Sequence, residues 1–141
     1  MESNSPSRTW EEEEVETPLG CTTWVLNSLT HELTIRSSTD TAKGVLAPWL
    51  GLREFTRTVV LLEGVTSIQA RAFYGCQNLK SIHIPNSVTS IGYEAFAYCC
   101  NLKSIAIPDS VETIGSLAFS WCKFSSIKIP RSVASFGGNP F

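Results

Sequence analysis

The chain has 141 residues, 43% of them hydrophobic and 17% charged, with a formal net charge of −2. That is one domain's worth of polypeptide with enough apolar side chain for a core. The ten Lys and Arg residues after position 16 barely outnumber the seven acids there and are scattered, which excludes a nucleic-acid footprint, and no segment reaches the roughly 18 apolar residues of a membrane span.

Residues 2–16 carry six acids against Arg8. Residues 1–17 therefore read as a disordered acidic tail. This polar start is the opposite of a signal peptide, so the chain as it stands reads as soluble and cytoplasmic. Residues 18–64 read as an N-terminal capping segment. It opens on a β-hairpin with strands near Thr22–Leu26 and Glu32–Arg36 and turn chemistry at Asn27-Ser28. Such a hairpin covers an otherwise exposed sheet edge. A polar loop (37–46) follows, then a short helix or turn from Pro48 to Phe55 with Trp49 buried. Val59, Leu61 and Val65 start a degenerate first repeat.

From residue 65 to 141 the chain repeats itself. VTSIQARAFYGCQNLKSIHIPNS starts at Val65, VTSIGYEAFAYCCNLKSIAIPDS at Val88, and VETIGSLAFSWCKFSSIKIPRS at Val111. The third copy lacks one residue just after Cys122. A truncated fourth runs from Val133 to Phe141. Periods of this size mark solenoids. In each copy the Leu-x-x-Ile-x-Ile stretch alternates with period two, as a half-buried strand does. Ile82 and Ile84 then face inward, and Ser81 and His83 outward. Proline closes each strand because it cannot donate to a ladder. Val-x-x-Ile forms the opposite wall. The Ala-Phe-x-x-Cys run suits one short helical or 3₁₀ turn, with Phe plugging the core. One repeat is one coil, stable only when stacked on its neighbours, so like residues sit about 4.8 Å apart.

These columns resemble the BspA-like (Treponema pallidum type) leucine-rich repeats, whose pattern is similar to VTSIGxxAFxxCxNLxSIxIPxS. The resemblance extends weakly to the N-terminal segment through Cys21, Trp24, Leu26, Leu33, Ile35, Ala47-Pro48-Trp49 and Val59 to Ile68. It implies a right-handed, β-rich solenoid with a parallel concave sheet. It also implies a surface or secreted location and a role in adhesion or protein binding. The chain departs from the pattern in showing no export signal or anchor, and in stopping inside its fourth repeat.

Chemistry finds little support. Cys76, Cys99 and Cys122 follow the repeat and not a zinc-ligand spacing, and read as buried thiols. His31 and His83 are the only histidines, and no acid is pinned beside His83. No catalytic residue, cofactor or metal is expected. Binding surfaces remain. The outward columns of the concave sheet should be Thr58, Ser81, Ser104, Ser126 and Val60, His83, Ala106, Lys128. An aromatic rim of Tyr74, Tyr93, Tyr98 and Trp121 is the second candidate. An open C-terminal edge at Ser125–Ile129 is the third: the repeat array is truncated there, or the edge is covered by a partner or a second copy, or Phe141 folds back as a stub cap. The reading is a non-catalytic module for a protein or surface-glycan ligand, without nucleic acid or membrane insertion. Self-association through the C-terminal edge and a small intracellular inhibitor are the alternatives.

Overall fold

The computed structural model describes residues 12–17, 20–27, 29–37 and 53–141. Among the described residues, nine strands form two sheets. The first contains β1 (Glu12–Thr17), β2 (Gly20–Asn27), β3 (Glu32–Ser37), β4 (Thr58–Leu61) and β6 (Ser81–His83), in the order β1-β2-β3-β4-β6. The second contains β5 (Ser67–Ile68), β7 (Ser90–Ile91), β8 (Thr113–Ile114) and β9 (Ser135–Phe136), in that order. β1, β2 and β3 run antiparallel, and all later pairings are parallel. The result is a parallel β-solenoid of about four turns, as the repeat implies.

Register follows the columns. β3 lies beside β4 with Leu33 opposite Val59 and Ile35 opposite Leu61, and all four side chains are buried. Ile68, Ile91 and Ile114 stack in the second sheet and are likewise buried. Between the walls runs a stack of phenyl rings. Phe73 and Phe96 are 5.5 Å apart, Phe96 and Phe119 5.7 Å, and Phe119 and Phe141 6.0 Å between centroids. Offset stacks of this spacing add to the apolar burial that holds a core.

The hairpin caps the first coil as expected. Asn27 makes the turn, its Oδ1 accepting from the amides of Leu29 and Thr30 at 2.9 and 3.0 Å. His31 has φ of 60° and joins the hairpin to the coil. Its carbonyl accepts from the Arg57 amide at 2.9 Å, and its Nδ1 lies 3.0 Å from the Phe55 carbonyl. The reading of 1–17 as a disordered tail is corrected over Glu12–Thr17. That stretch is β1, paired residue by residue with β2. Composition describes side chains, whereas a free strand edge recruits backbone groups whatever the charge beside them. Residues 38–46, Pro48 and Trp49 lie outside the described residues.

The expected helical or 3₁₀ turn is also corrected: the described residues contain no helix. In Arg71–Cys76 the amides alternate in purpose. Those of Ala72, Tyr74 and Cys76 bond three residues back, while those of Arg71, Phe73 and Gly75 donate to Tyr93, Ala95 and Ala97 of the next coil. Two left-handed residues per coil enforce this alternation: Arg71 and Gly75, then Glu94 and Tyr98, then Leu117 and Trp121. A helix would keep every amide inside one coil; this ladder spends half of them between coils. The same ladder continues at the C-terminal end, where Leu117 and Phe119 donate to the carbonyls of Asn139 and Pro140 at 2.8 and 2.7 Å. Phe141 thus takes its place in the phenyl column.

Side chains supply two further ladders. Asn78 and Asn101 each donate from Nδ2 to a carbonyl of the preceding coil, Glu54 at 2.8 Å and Gln77 at 2.6 Å. Cys99 and Cys122 donate from Sγ to the carbonyls of Phe73 and Phe96 at 3.2 and 3.0 Å. Coils approach most closely at Gly92 and Gly115. A Cβ on Gly115 would stand 2.5 Å from the Tyr93 amide nitrogen, so only glycine fits.

Candidate binding surfaces

The outward columns lie where the alternation puts them. Thr58 pairs with Ser81 and Val60 with His83. Thr58 and Val60 are half-buried near the cap, while Ser81, His83, Ser104, Ala106, Ser126 and Lys128 are exposed. The columns extend one strand further than the sequence indicates, because Glu32 pairs with Thr58 and Thr34 with Val60. The alternation in ELTIRS carries that signal, with Leu33 and Ile35 inward.

The concave sheet is less regular than expected. After β6 its only pairing among the described residues is an isolated bridge between Ala106 and Lys128. Each strand here is closed by proline within a few residues, so losing one or two bonds opens the ladder. The opening leaves a depression of about 340 Å³ lined by Ser104, Ile105, Ala106, Asp109, Ser126 and Lys128, among others. Small side chains let a partner reach the backbone. Lys128 and Asp109 place opposite charges on its wall.

The aromatic set divides in two. Tyr74, Tyr98 and Trp121 form a continuous strip. Tyr74 and Tyr98 meet edge-on with centroids 5.3 Å apart, and Tyr98 and Trp121 stack at 6.1 Å with 6° between planes. Tyr93 stands apart. It shares the Arg71 guanidinium, 5.5 Å from its ring, with Tyr74 at 5.8 Å. Arg71 also reaches Glu94 Oε1 at 3.3 Å. Glu94 raises the Arg71 pKa, through the hydrogen bond first and its charge second. It raises the Tyr93 phenol as well. The planar fork of Arg71 is therefore fixed by Glu94 and covered by two rings, which suits a framework role.

Backbone conformation marks the strip. Tyr98 has φ of 65° and Trp121 of 62°, in a column where the first coil has Gly75 at 73°. Bulky residues are rare there, and each carries a cost of roughly 1–2 kcal/mol. Trp121 is nonetheless 69% exposed, so core packing does not account for it.

The cysteine column is packed as expected at Cys76 and Cys99, but Cys122 is only partly buried. Cys122 belongs to the last coil with a complete turn, with less chain above it. Burial pushes the Cys76 thiol up to about 12. The hydrogen bond with Cys122, then burial, pushes Cys99 up as well. Thiols held protonated in this way make Cys76 and Cys99 packing elements and poor nucleophiles. Cys21 lies in β2. Among the described residues, no group of three or more His, Cys, Asp or Glu is placed to hold a metal ion, and no helix is long and apolar enough to cross a membrane.

Solved structures of leucine-rich-repeat proteins resemble this one. The Treponema pallidum protein TpLRR is 27% identical with a TM-score of 0.56, over 89% of this chain and 54% of that one. A Bacteroides ovatus protein is 26% identical with a TM-score of 0.61, over 82% of this chain and 36% of its own. A Eubacterium ventriosum protein has a TM-score of 0.66 at 23% identity, over 87% of this chain and 39% of that one, a likeness of fold. The chain thus spans about half or less of the length of these relatives. No curated protein matches it. The BspA type leucine rich repeat region matches residues 54–141 in six copies. The chain belongs to the BspA-type leucine-rich-repeat family.

Proposed function

We propose that this chain is a non-catalytic protein-binding module whose contact surface is the concave face of the solenoid. Leucine-rich-repeat solenoids generally serve interaction or adhesion. The observation that carries the reading is the depression of about 340 Å³ between Ser104 and Lys128. It has exposed Ser104, Ala106 and Ser126 around it, and Lys128 and Asp109 on its wall. A loop or strand of a partner protein fits such a surface. Its backbone reaches the floor between the small side chains, and its charged side chains meet Lys128 and Asp109.

The test is the double variant His83→Ala, Lys128→Glu. Both side chains are exposed, so the thermal melt should not move. Binding to a partner captured from the native source should fall by about tenfold or more, as the loss of one interfacial charge pair implies. Unchanged binding would remove the concave face from the account.

A further inference from the structure

We propose that copies of this chain associate head to tail, with the edge strand β1 of one copy joining the Ser125–Ile129 edge of the next. The first sheet starts at β1 and reaches β6, and the Ala106–Lys128 bridge lies further along the same wall. Among the described residues, neither β1 nor the stretch around Lys128 has a strand on its outer side. An unpaired edge offers backbone donors and acceptors that another chain completes.

Three observations commit these edges to one another. The first is charge. β1 holds Glu12, Glu13, Glu14 and Glu16 and no base, a formal −4. From Thr113 to Phe141 the chain holds Lys123, Lys128 and Arg131 and no acid, a formal +3, and all three bases are exposed. Opposite ends of two copies therefore attract, whereas like ends repel. The second is direction. β1 is antiparallel to β2 and β2 to β3, so β1 runs parallel to β3, β4 and β6. The Ala106–Lys128 bridge is parallel too. A copy displaced along the sheet without reversal presents β1 to the Lys128 edge in parallel, the pairing that the coils already use. The third is apolar exposure. Leu102, Ile105 and Ile107 are buried beneath the next coil. Their counterparts Phe124, Ile127 and Ile129 are only partly buried, and a strand added at this edge covers more of them.

The two joined surfaces differ, so the contact is heterologous. Each added copy leaves a free β1 at one end and a free basic coil at the other, and growth passes beyond two copies. One strand edge and a few apolar side chains make a weak joint that needs high concentration and low salt. The contact uses the outer side of the Lys128 stretch and leaves the depression between Ser104 and Lys128 to a partner protein. The two proposals are tested by different variants and stand or fall independently.

Sedimentation velocity on the full chain tests it, from about 10 μM to about 1 mM, the range in which a weak contact registers. At about 20 mM salt the weight-average mass should rise with concentration to more than twice that of one copy. At about 500 mM salt, where screening shortens to a few ångströms, it should fall back toward one copy. The variant Lys123→Gln, Arg131→Gln alters one end, and Glu13→Gln, Glu14→Gln the other. Each alone should associate about tenfold or more weakly than the parent, with the parent's circular dichroism. Mixed in equal amounts, the two should form a one-to-one dimer, because the first keeps β1 and the second keeps the basic coil. A single copy at every concentration of the parent, association that stops at two copies, or a mixture no more associated than its separate components overturns the proposal.

Discussion

Trp121 stacks on Tyr98 at 6.1 Å with both backbones in the left-handed region, at φ of 62° and 65°. The two residues repeat one another's strain one coil apart. Glycine relieves such strain, and it stands at this position in the first coil. The ordinary order of substitution should therefore invert. Trp121→Gly should be more stable than Trp121→Ala by about 1 kcal/mol, because both lose the same ring and only glycine accepts the backbone. Urea denaturation of the two variants checks this.

A second glycine effect has the opposite sign. Gly115→Ala places a Cβ 2.5 Å from the Tyr93 nitrogen, against backbone that cannot move without parting two coils. It should destabilise by about 1–3 kcal/mol or more, as overpacking does. Gly75→Ala meets only the Arg53 side chain at 3.6 Å and should lose about 1 kcal/mol, from φ alone. Equal losses at the two positions would mean the coils are not stacked as described.

Much of this was legible in the repeat. Val65, Ile68, Phe73, Cys76, Leu79 and Ile84 are all buried, as their period requires. Ser81 and His83 face out for the same reason. What the repeat does not encode is the partner of each amide. The Ala-Phe-x-x-Cys stretch has helical spacing, yet half its amides serve the next coil. Side-chain period cannot distinguish the two. Conserved-looking columns also hide their own exceptions. Tyr98 and Trp121 align with Gly75, and that single comparison within the chain was the signal for a strained position. Asn78 and Asn101 likewise form a visible column. The third copy lacks the residue that would extend this ladder, and the concave sheet is irregular across the same coils.

The Asn ladder leads to a modest prediction. Asn101→Ala removes the bond to the Gln77 carbonyl and should cost about 0.5–1.5 kcal/mol. Hydrogen exchange should quicken in the turns on either side of residue 101 and not in the hairpin.

Stability should fall in alkali, with Cys76 contributing. Its folded pKa is about 12 against an ordinary value of 9.0. A raised folded value means the contribution is complete below pH 9 and is lost as pH rises toward 12. The unfolded chain ionises there first and so is favoured. The loss from one such group is at most about 1.4 kcal/mol per pH unit. Thermal melts of the parent and of Cys76→Ala between pH 8 and 11 should therefore converge as pH rises. Parallel curves would show that Cys76 is not sequestered.

The concave face is the proposed contact surface. A photo-crosslinking residue placed at Ser104, on that face, and in a second protein at Glu112, exposed beside the opposite sheet, tests it directly. Incubated with material from the native source, the Ser104 protein should yield a discrete covalent adduct with a protein partner, and the Glu112 protein should not. Adducts in equal yield from both positions, or from Glu112 alone, would contradict the account.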